Sequence, residues 1–472
     1  MGRNENDKNG TIAQYERVYF IGIGGIGMSN LARYFLSQGK LVGGYDRVQT
    51  PLTDKLASEG ADIHYLDDIH AIPSDFFDKN KTLVVYTPAV PSSHSELNYF
   101  RKEGFLLMKR AQLLGEITKS SQAICCAGTH GKTTVSSMVA HLLRQSKWDC
   151  NAFLGGILKN YDTNLLLSPT SPFTVAEADE YDRSFHWLHP WLAIITSVEP
   201  DHLDIYGTED AYRESFEHFT SLIRPHGFLI VKNDIPISIR CDSSVKAYSY
   251  SENEGDFHAE NIRIGNGTVF FDFVMPNGSK IENVELGVPI KINIENAVAA
   301  MAAAILCEVD RDTIRFAIKS FGGARRRFDF RIKTDSLVLI DDYAHHPREV
   351  AASVASIKAL YSDKKITGIF QPHLYSRTRD FADEFAESLS LLDEVILLDI
   401  YPAREEPIPG ITSQIIFDKI AMSDKMLCKK EELVSILEKK KPEVLVTLGA
   451  GDIDRLLPDI ERLLNKRLSS NT

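Results

Sequence analysis

The sequence predicts an α/β protein of three domains, each built on a mostly parallel sheet. Three observations carry that expectation. The chain has 472 residues, too many for one hydrophobic core. Two short apolar runs, at 17–21 and 123–126, each lead through a glycine-rich turn into a helix-like stretch. The last third holds four more apolar runs, each ending in a polar cluster, as in an open parallel sheet whose ligands sit at the strand ends.

Composition sets the outer limits. Apolar residues make up 43% and charged residues 25%, the balance of an ordinary globular chain. The net charge of −12 disfavours general binding to nucleic acid. Residues 1–10 are polar and lack the apolar stretch of a secretion signal. Met1-Gly2 opens like a myristoylation signal, but Asn6 stands where serine or threonine is needed. No apolar run is long enough to span a membrane. The six cysteines, Cys125-Cys126 among them, show no paired metal spacing. The expectation is a cytoplasmic protein with no nucleic-acid or membrane partner.

The first domain is expected over 1–120. A buried strand at 17–21 runs into Gly22-Ile23-Gly24-Gly25-Ile26-Gly27, an apolar helix follows over 28–35, and a strand at 41–45 ends in Asp46. This satisfies the dinucleotide fingerprint: glycines admit a pyrophosphate to a helix N-terminus, and an acid about 20 residues on reaches a sugar hydroxyl. Alone it points to NAD and an oxidoreductase, although a UDP-sugar presents the same pyrophosphate. A strand at 83–86 leads to Thr87-Pro88, and Arg110 opens Arg110-Ala111-Gln112-Leu113-Leu114. A polar linker is placed at 118–122.

The second domain, 121–325, opens on the strand before Ala127-Gly128-Thr129-His130-Gly131-Lys132-Thr133-Thr134. Strand, glycine-rich turn and helix together make Gly-Lys-Thr a phosphate loop. Its backbone N–H groups and the helix dipole converge on one spot. Lys132 reaches the β- and γ-phosphates and the Thr133 hydroxyl ligates Mg²⁺. Cys126 fills the first glycine position of the usual pattern, so Gly128 does the turning. A strand at 173–176 ends in Glu177, with Asp179, Glu180 and Asp182 beyond. An acid there holds Mg²⁺, the alternative being a solvated acidic loop. A strand at 192–198 leads to Glu199-Pro200-Asp201-His202-Leu203-Asp204-Ile205-Tyr206. Asn266-Gly267 and Asn277-Gly278 mark hairpin structure over 257–279, and 297–306 reads as a core helix.

The third domain, 326–472, is entered through Arg325-Arg326-Arg327-Phe328. Strands at 337–340, 366–370, 394–398 and 444–448 lead to clusters that include Asp341-Asp342-Tyr343-Ala344-His345-His346-Pro347 and Gln371-Pro372-His373-Leu374-Tyr375-Ser376-Arg377-Thr378-Arg379-Asp380.

The loop Gly128-Thr129-x-Gly131-Lys132-Thr133-Thr134 resembles that of the Mur ligases and folylpolyglutamate synthetases, which use ATP to join an amino acid to a carboxylate. Residues 22–29 resemble the Gly-Ile-Gly-Gly-x-Gly-Met-Ser with which the Mur ligases that start the peptide stem hold a UDP-sugar. Residues 177–182 and 199–206 resemble the family's metal strings, although Ser197 replaces the usual asparagine. The segment at 370–380 is similar to that of members that add L-alanine. The resemblance covers nearly the whole chain. It implies a Rossmann-like UDP-binding domain, a central P-loop-type ATPase domain and a C-terminal Rossmann-like domain for the amino acid. It implies an ADP-forming ligase of peptidoglycan precursor synthesis, joining L-alanine to the lactyl carboxylate of UDP-N-acetylmuramate through an acyl phosphate. ATP and two Mg²⁺ ions, replaceable by Mn²⁺, are the implied cofactors, and the expected state is a monomer or weak homodimer.

The resemblance also assigns residues. Lys132, His202, His346 and Arg377 are the catalytic candidates. ATP falls to Gly128, Thr129, His130, Gly131, Lys132, Thr133, Thr134, Asn293, Asn296, Arg327 and Asp342, and metal to Thr133, Glu177 and His202. The UDP-sugar falls to Gly22, Gly24, Gly25, Gly27, Ser29, Asp46, Thr87, Pro88 and Arg110. The amino acid falls to Tyr343, His346, His373, Tyr375, Arg377 and Arg379, with two arginines able to clamp its carboxylate. No lysine lies in 210–223, so the carbamylated lysine of several relatives is not expected. Two alternatives stay open. One is a recycling ligase that attaches the tripeptide L-Ala-γ-D-Glu-meso-diaminopimelate, which Ala344 and Arg404 keep in play. The other is an NAD-dependent oxidoreductase.

Overall fold

The computed structural model describes residues 12–470, apart from 88, 202, 266 and 404. The expectations at Pro88, His202, Asn266 and Arg404 lie outside the described residues. The strands gather into four sheets. The first has five parallel strands in the order Asp62–His64, Leu41–Tyr45, Arg17–Ile21, Thr82–Tyr86, Leu106–Lys109. Val18, Tyr19, Phe20 and Ile21 in its centre are fully buried, because a parallel sheet is covered on both faces.

The second sheet has seven strands in the order Lys246–Tyr250, Phe228–Lys232, Leu192–Ile195, Gln122–Ala127, Phe173–Ala178, Asn151–Leu158, Thr163–Leu166. Only the edge strand Thr163–Leu166 pairs antiparallel among the pairings described. The strand expected over 192–198 stops at Ile195. Thr196 turns its hydroxyl back to the Ala127 carbonyl at 3.1 Å, which takes the chain out of the ladder and onto the phosphate loop.

A three-stranded sheet, His258–Gly265, Thr268–Val274 and Lys280–Glu285, occupies the segment expected as hairpins. Gly267 and Gly278 hold φ of +68° and +75°, which tight turns require. The fourth sheet runs Asp329–Lys333, Val338–Asp342, Val444–Leu448, Ile366–Phe370, Glu394–Leu397, Lys425–Leu427. The four strands expected from sequence are its centre. Its two edges were not anticipated: Asp329–Lys333 is antiparallel, bulged and charged, and Lys425–Leu427 has three residues.

The chain divides into two compact units, 1–260 with 273–281 and 295–318, and 261–272 with 282–294 and 319–472. The first unit holds the five- and seven-stranded sheets; the second holds the six-stranded sheet. In the first unit one apolar cluster runs from Phe20 and Leu31 through Leu114, Phe153 and Phe185 to Phe216. The Tyr34 ring lies 5.6 Å from that of Phe153, and the Asn30 amide donates to the Asn164 carbonyl at 3.3 Å. A Cβ on Gly115 would stand 2.2 Å from the Trp187 carbonyl oxygen, so helix Arg110–Lys119 packs at backbone distance. The linker expected at 118–122 reduces to a turn at Ser120-Ser121. Thr118 is fully buried at the helix end and Gln122 already begins a strand. Among the described residues no helix is long and apolar enough to cross a membrane.

Behind the first sheet lies a buried polar cluster. The Tyr19 hydroxyl donates to Glu96 at 2.8 Å and lies 2.6 Å from His64 Nε2. Burial pushes the Glu96 carboxyl from its ordinary 4.5 up to about 8, so the folded chain keeps a proton that the unfolded chain loses. A raised acid of this kind stabilises fully below 4.5, and that stability drains away as pH rises toward 8. Replacing Glu96 by glutamine is expected to flatten the fall of Tm across that window in thermal unfolding. Parallel declines in both proteins would clear Glu96 of responsibility.

Candidate functional site

Two helices of the first unit begin on glycine with no side-chain cap, Ile26–Ser37 on Gly25 and Lys132–Arg144 on Gly131. Helix Pro51–Ser58, by contrast, is closed by a Thr50–Thr53 capping box. Uncapped first-turn N–H groups suit phosphate oxygens. In the second loop Gly128 holds φ +140°, and a Cβ there would lie 2.2 Å from Thr196 Oγ1. Thr129 ties the loop to the following segment, its hydroxyl donating to the Glu199 carbonyl at 2.7 Å and lying 2.9 Å from Tyr212 Oη. The His130 N–H donates to Ser197 Oγ at 2.8 Å, which gives the serine in that position a defined task. The segment leading to residue 202 is thus anchored on the phosphate loop.

The Lys132 ammonium donates to the Gly128 carbonyl at 2.5 Å, the Thr129 carbonyl at 3.3 Å and Glu180 Oε1 at 2.8 Å. Thr133 Oγ1 donates to Glu177 Oε1 at 3.1 Å, and the Gly155 N–H donates to Glu177 Oε2 at 3.0 Å. Burial raises the Glu177 carboxyl, opposed by the Thr133 hydroxyl and the Lys132 charge. Thr134 is half-buried in the first helical turn. Asn296 Oδ1 lies 3.0 Å from where a Gly131 Cβ would be, which sets it beside the loop. Asn293 gives its amide to the Val288 carbonyl at 3.2 Å.

A buried carboxylate beside a threonine hydroxyl is a fitting oxygen pair for Mg²⁺, which takes one or two carboxylates and fills its shell with phosphate and water. Among the described residues no three His, Cys, Asp or Glu side chains gather into a metal cage.

Around the first glycine loop, Asp46 Oδ2 accepts the Gly24 N–H at 2.7 Å, and Asp46 also accepts the Val48 N–H at 3.2 Å. Thr87 crowds Gly22, where a Cβ would meet its methyl at 2.7 Å. Arg110 lies across Gly27, its Nη1 3.0 Å from a Cβ placed there. Ser29 is buried, and its hydroxyl donates to the Ile26 carbonyl at 2.9 Å, inside its own helix rather than toward a ligand. Between Gly27 and Arg110 on one side and Phe153, Gly155, Glu177 and Asp179 on the other is a cavity of ≈ 220 Å³. Two of the sugar-nucleotide candidates, Gly27 and Arg110, and the metal candidate Glu177 thus line one cavity.

In the second unit the chain after Phe370 passes through Leu374, a non-glycine residue at φ +72°, into the short helix Tyr375–Asp380. Glu405 holds its start, accepting the Ser376 N–H at 3.0 Å. Arg377 Nη1 lies 3.3 Å from His373 Nδ1, and the His373 ring stacks on Tyr401. Burial, aided by the Arg377 charge, pushes His373 down to about 4, so it is neutral at physiological pH. Arg379 is turned to solvent and pairs with Asp380 at 2.7 Å. The two arginines are therefore not drawn together, and a bidentate clamp from both is absent from this arrangement. Tyr343 carries the Arg327 guanidinium 5.5 Å above its ring, and burial raises the Asp342 carboxyl against the pull of Arg327. His346 caps helix Pro347–Leu360 and faces Phe381 with ring centroids 5.0 Å apart.

Four residues outside the assigned site residues have supporting roles. Glu180, 2% exposed, holds Lys132. Arg326 donates to the Gly449 carbonyl at 2.7 Å and stands 3.6 Å from buried Asp341. Glu349 accepts the His345 and His346 N–H groups, and Glu405 fixes Ser376. Only Glu180 left a signal, an acid three residues past the metal candidate.

Comparison with known proteins gives this arrangement a class. Three family domains match in order: "Mur ligase family, catalytic domain" over residues 17–122, "Mur ligase middle domain" over 126–304 and "Mur ligase, glutamate ligase domain" over 326–451. The chain belongs to the Mur ligase family, and is an ATP-dependent enzyme that forms an amide bond and releases ADP. It is similar to the UDP-N-acetylmuramate–L-alanine ligase of Parabacteroides distasonis, 63% identical over 96% of this chain and 98% of that one. The ligase of the same name from Phocaeicola vulgatus is 60% identical over 95% and 98%. The crystal structure of the UDP-N-acetylmuramate–alanine ligase of Thermotoga maritima matches with a TM-score of 0.76 at 26% identity, covering 96% of this chain and 99% of that one. The dinucleotide fingerprint therefore belongs to a ligase, and the oxidoreductase alternative falls.

Proposed function

We propose that the chain joins the amine of L-alanine to the lactyl carboxylate of UDP-N-acetylmuramate, converting ATP to ADP and phosphate. The observation that carries this is 63% identity, over nearly the whole chain, to a relative of that name. A carboxylate is a poor acyl donor, because its oxygen leaves badly. Transfer of the γ-phosphoryl group to that oxygen gives an acyl phosphate. The alanine amine adds to its carbonyl carbon, and phosphate then leaves with the C–O bond pair.

Two anions must meet for the first step, and the chain supplies cations and dipoles for them. Lys132 and the N–H groups at the start of helix Lys132–Arg144 face the phosphates, with Arg110 at the cavity for the carboxylate. Mg²⁺ bound at Thr133 and Glu177, with a second ion near His202, would add positive charge there, and Mn²⁺ can replace it. Gly22, Gly24, Gly25 and Gly27 hold the UDP pyrophosphate. Arg377, with neutral His373 beside it, holds the alanine carboxylate. Residues 1–120, 121–325 and 326–472 carry the sugar nucleotide, ATP and amino acid in turn. Six free cysteines support a reducing cytoplasm, where the enzyme acts as a monomer or weak homodimer.

The test is ADP release with UDP-N-acetylmuramate, with and without L-alanine, and with the intact tripeptide in its place. Release that needs L-alanine and gives the amide product supports the reading; a higher kcat/KM for the tripeptide overturns it in favour of the recycling ligase. Glycine and L-serine are expected as weaker substrates, since one methyl separates them by only about 1–3 kcal/mol. Arg377→Lys should raise the KM for L-alanine roughly tenfold, because lysine lacks the planar fork. An unchanged KM would move the carboxylate site elsewhere.

A further inference from the structure

An ammonium group has three N–H donors, and all three on Lys132 are engaged. Two go to carbonyls of its own loop, Gly128 at 2.5 Å and Thr129 at 3.3 Å, and the third goes to Glu180 Oε1 at 2.8 Å. A phosphate oxygen can reach Nζ only by displacing one of these acceptors. Glu180 is 2% exposed, and its second oxygen, Oε2, is buried with no hydrogen-bond partner. Among the described residues Lys132 is its only ion-pair partner. A carboxylate in that position loses most when its cation moves away.

The backbone holds Glu180 in place independently of Lys132. Tyr206 Oη donates to the Glu180 carbonyl at 2.6 Å, and the following Asp182 and Arg183 sit in left-handed conformation at φ +51° and +53°. Arg183 in turn lies 5.0 Å over the Tyr206 ring. The carboxylate is thus a fixed post against which a flexible lysine moves.

From this geometry we infer that Glu180 is the return partner of Lys132: it competes with the nucleotide phosphates for the ammonium and so speeds the release of ADP after each turnover. Glu180 acts through Lys132 and touches no substrate, so it is a positioning residue. The inference rests on the nucleotide role of this loop given above. It differs from a merely structural role in its sign. A brace that shaped the loop would weaken nucleotide binding when removed. A competitor would strengthen it. Where product release limits turnover, a slower ADP exit lowers kcat and the KM for ATP together.

The test measures ADP binding by calorimetry in the presence of Mg²⁺, and ADP dissociation by chase of a fluorescent analogue, for the parent, Glu180→Gln and Glu180→Asp. Glutamine keeps the shape and removes the charge; aspartate keeps the charge but falls short of the 2.8 Å contact. Glu180→Gln should bind ADP about five- to tenfold more tightly, with ADP dissociation slowed by a similar factor, roughly the worth of one ion pair. Glu180→Asp should shift the same way by less, and so reports even if the glutamine variant folds poorly. Equal or weaker ADP binding in the variants overturns the inference. Failure of the parent itself to bind ADP overturns the nucleotide reading as well, and this separates the two.

Discussion

Replacing Lys132 by alanine abolishes turnover. Within the loop 128–134 the ammonium is the one permanently cationic side chain, and the charge it stabilises grows as the phosphoryl group moves. Removing one such group commonly costs about 10²–10³ in kcat. The structure adds a second effect. The substitution leaves Glu180 buried without its cation, so the alanine variant should also lose stability, by up to about 3–5 kcal/mol if the carboxylate stays ionised and less if it takes up a proton. The double variant Lys132→Ala with Glu180→Gln separates the effects: stability returns and activity does not. Retention of more than roughly a tenth of kcat, about 1.4 kcal/mol of barrier, would remove Lys132 from the mechanism.

The second large effect is expected at Glu177. Its two oxygens accept from the Thr133 hydroxyl and the Gly155 N–H, and its charge faces the cavity shared with Arg110. Glutamine fits the same space but offers one oxygen and an NH₂ group in place of two acceptors. Glu177→Gln should therefore lift the Mg²⁺ concentration needed for half-maximal ADP release by roughly tenfold or more, the usual scale for losing a carboxylate near a metal. Binding of UDP-N-acetylmuramate, measured without ATP, should hardly change. Metal titrations that overlay those of the parent would make Glu177 a packing residue.

The parts of the fold most legible in the sequence are those where burial is uniform. Arg17–Ile21, Ile366–Phe370 and Val444–Leu448 are apolar runs between turn signals, and each is a central strand. Edge strands were lost because one side faces water and their residues are mixed. Asp329–Lys333, with Asp329, Arg331 and Lys333 among its five residues, carries no apolar run and is revealed as a strand only by its pairing with Val338–Asp342. The same contrast holds in the site. Glycine loops are written locally, since a turn and its helix lie within ten residues of one another. Contacts between distant segments are not: nothing in the sequence pairs Glu177 with Gly155, or Arg326 with the Gly449 carbonyl. The paired-arginine clamp is not preformed for a related reason. Arg377 and Arg379 are two apart, and on the helix Tyr375–Asp380 that spacing sends side chains to different faces.

The crowding around the glycines has a consequence for medicinal chemistry. A methyl group on Gly128 would lie 2.2 Å from Thr196 Oγ1, one on Gly155 2.4 Å from Glu177 Oε2, and one on Gly24 2.8 Å from Asp46 Oδ2. At Gly155 and Gly24 the contacted carboxylate accepts the glycine's own N–H, and Thr196 Oγ1 donates to the Ala127 carbonyl, so a side chain at any of the three would disturb a hydrogen bond of the site. An inhibitor resting on those backbone surfaces, rather than on the side chains around them, would leave the target few viable escape substitutions.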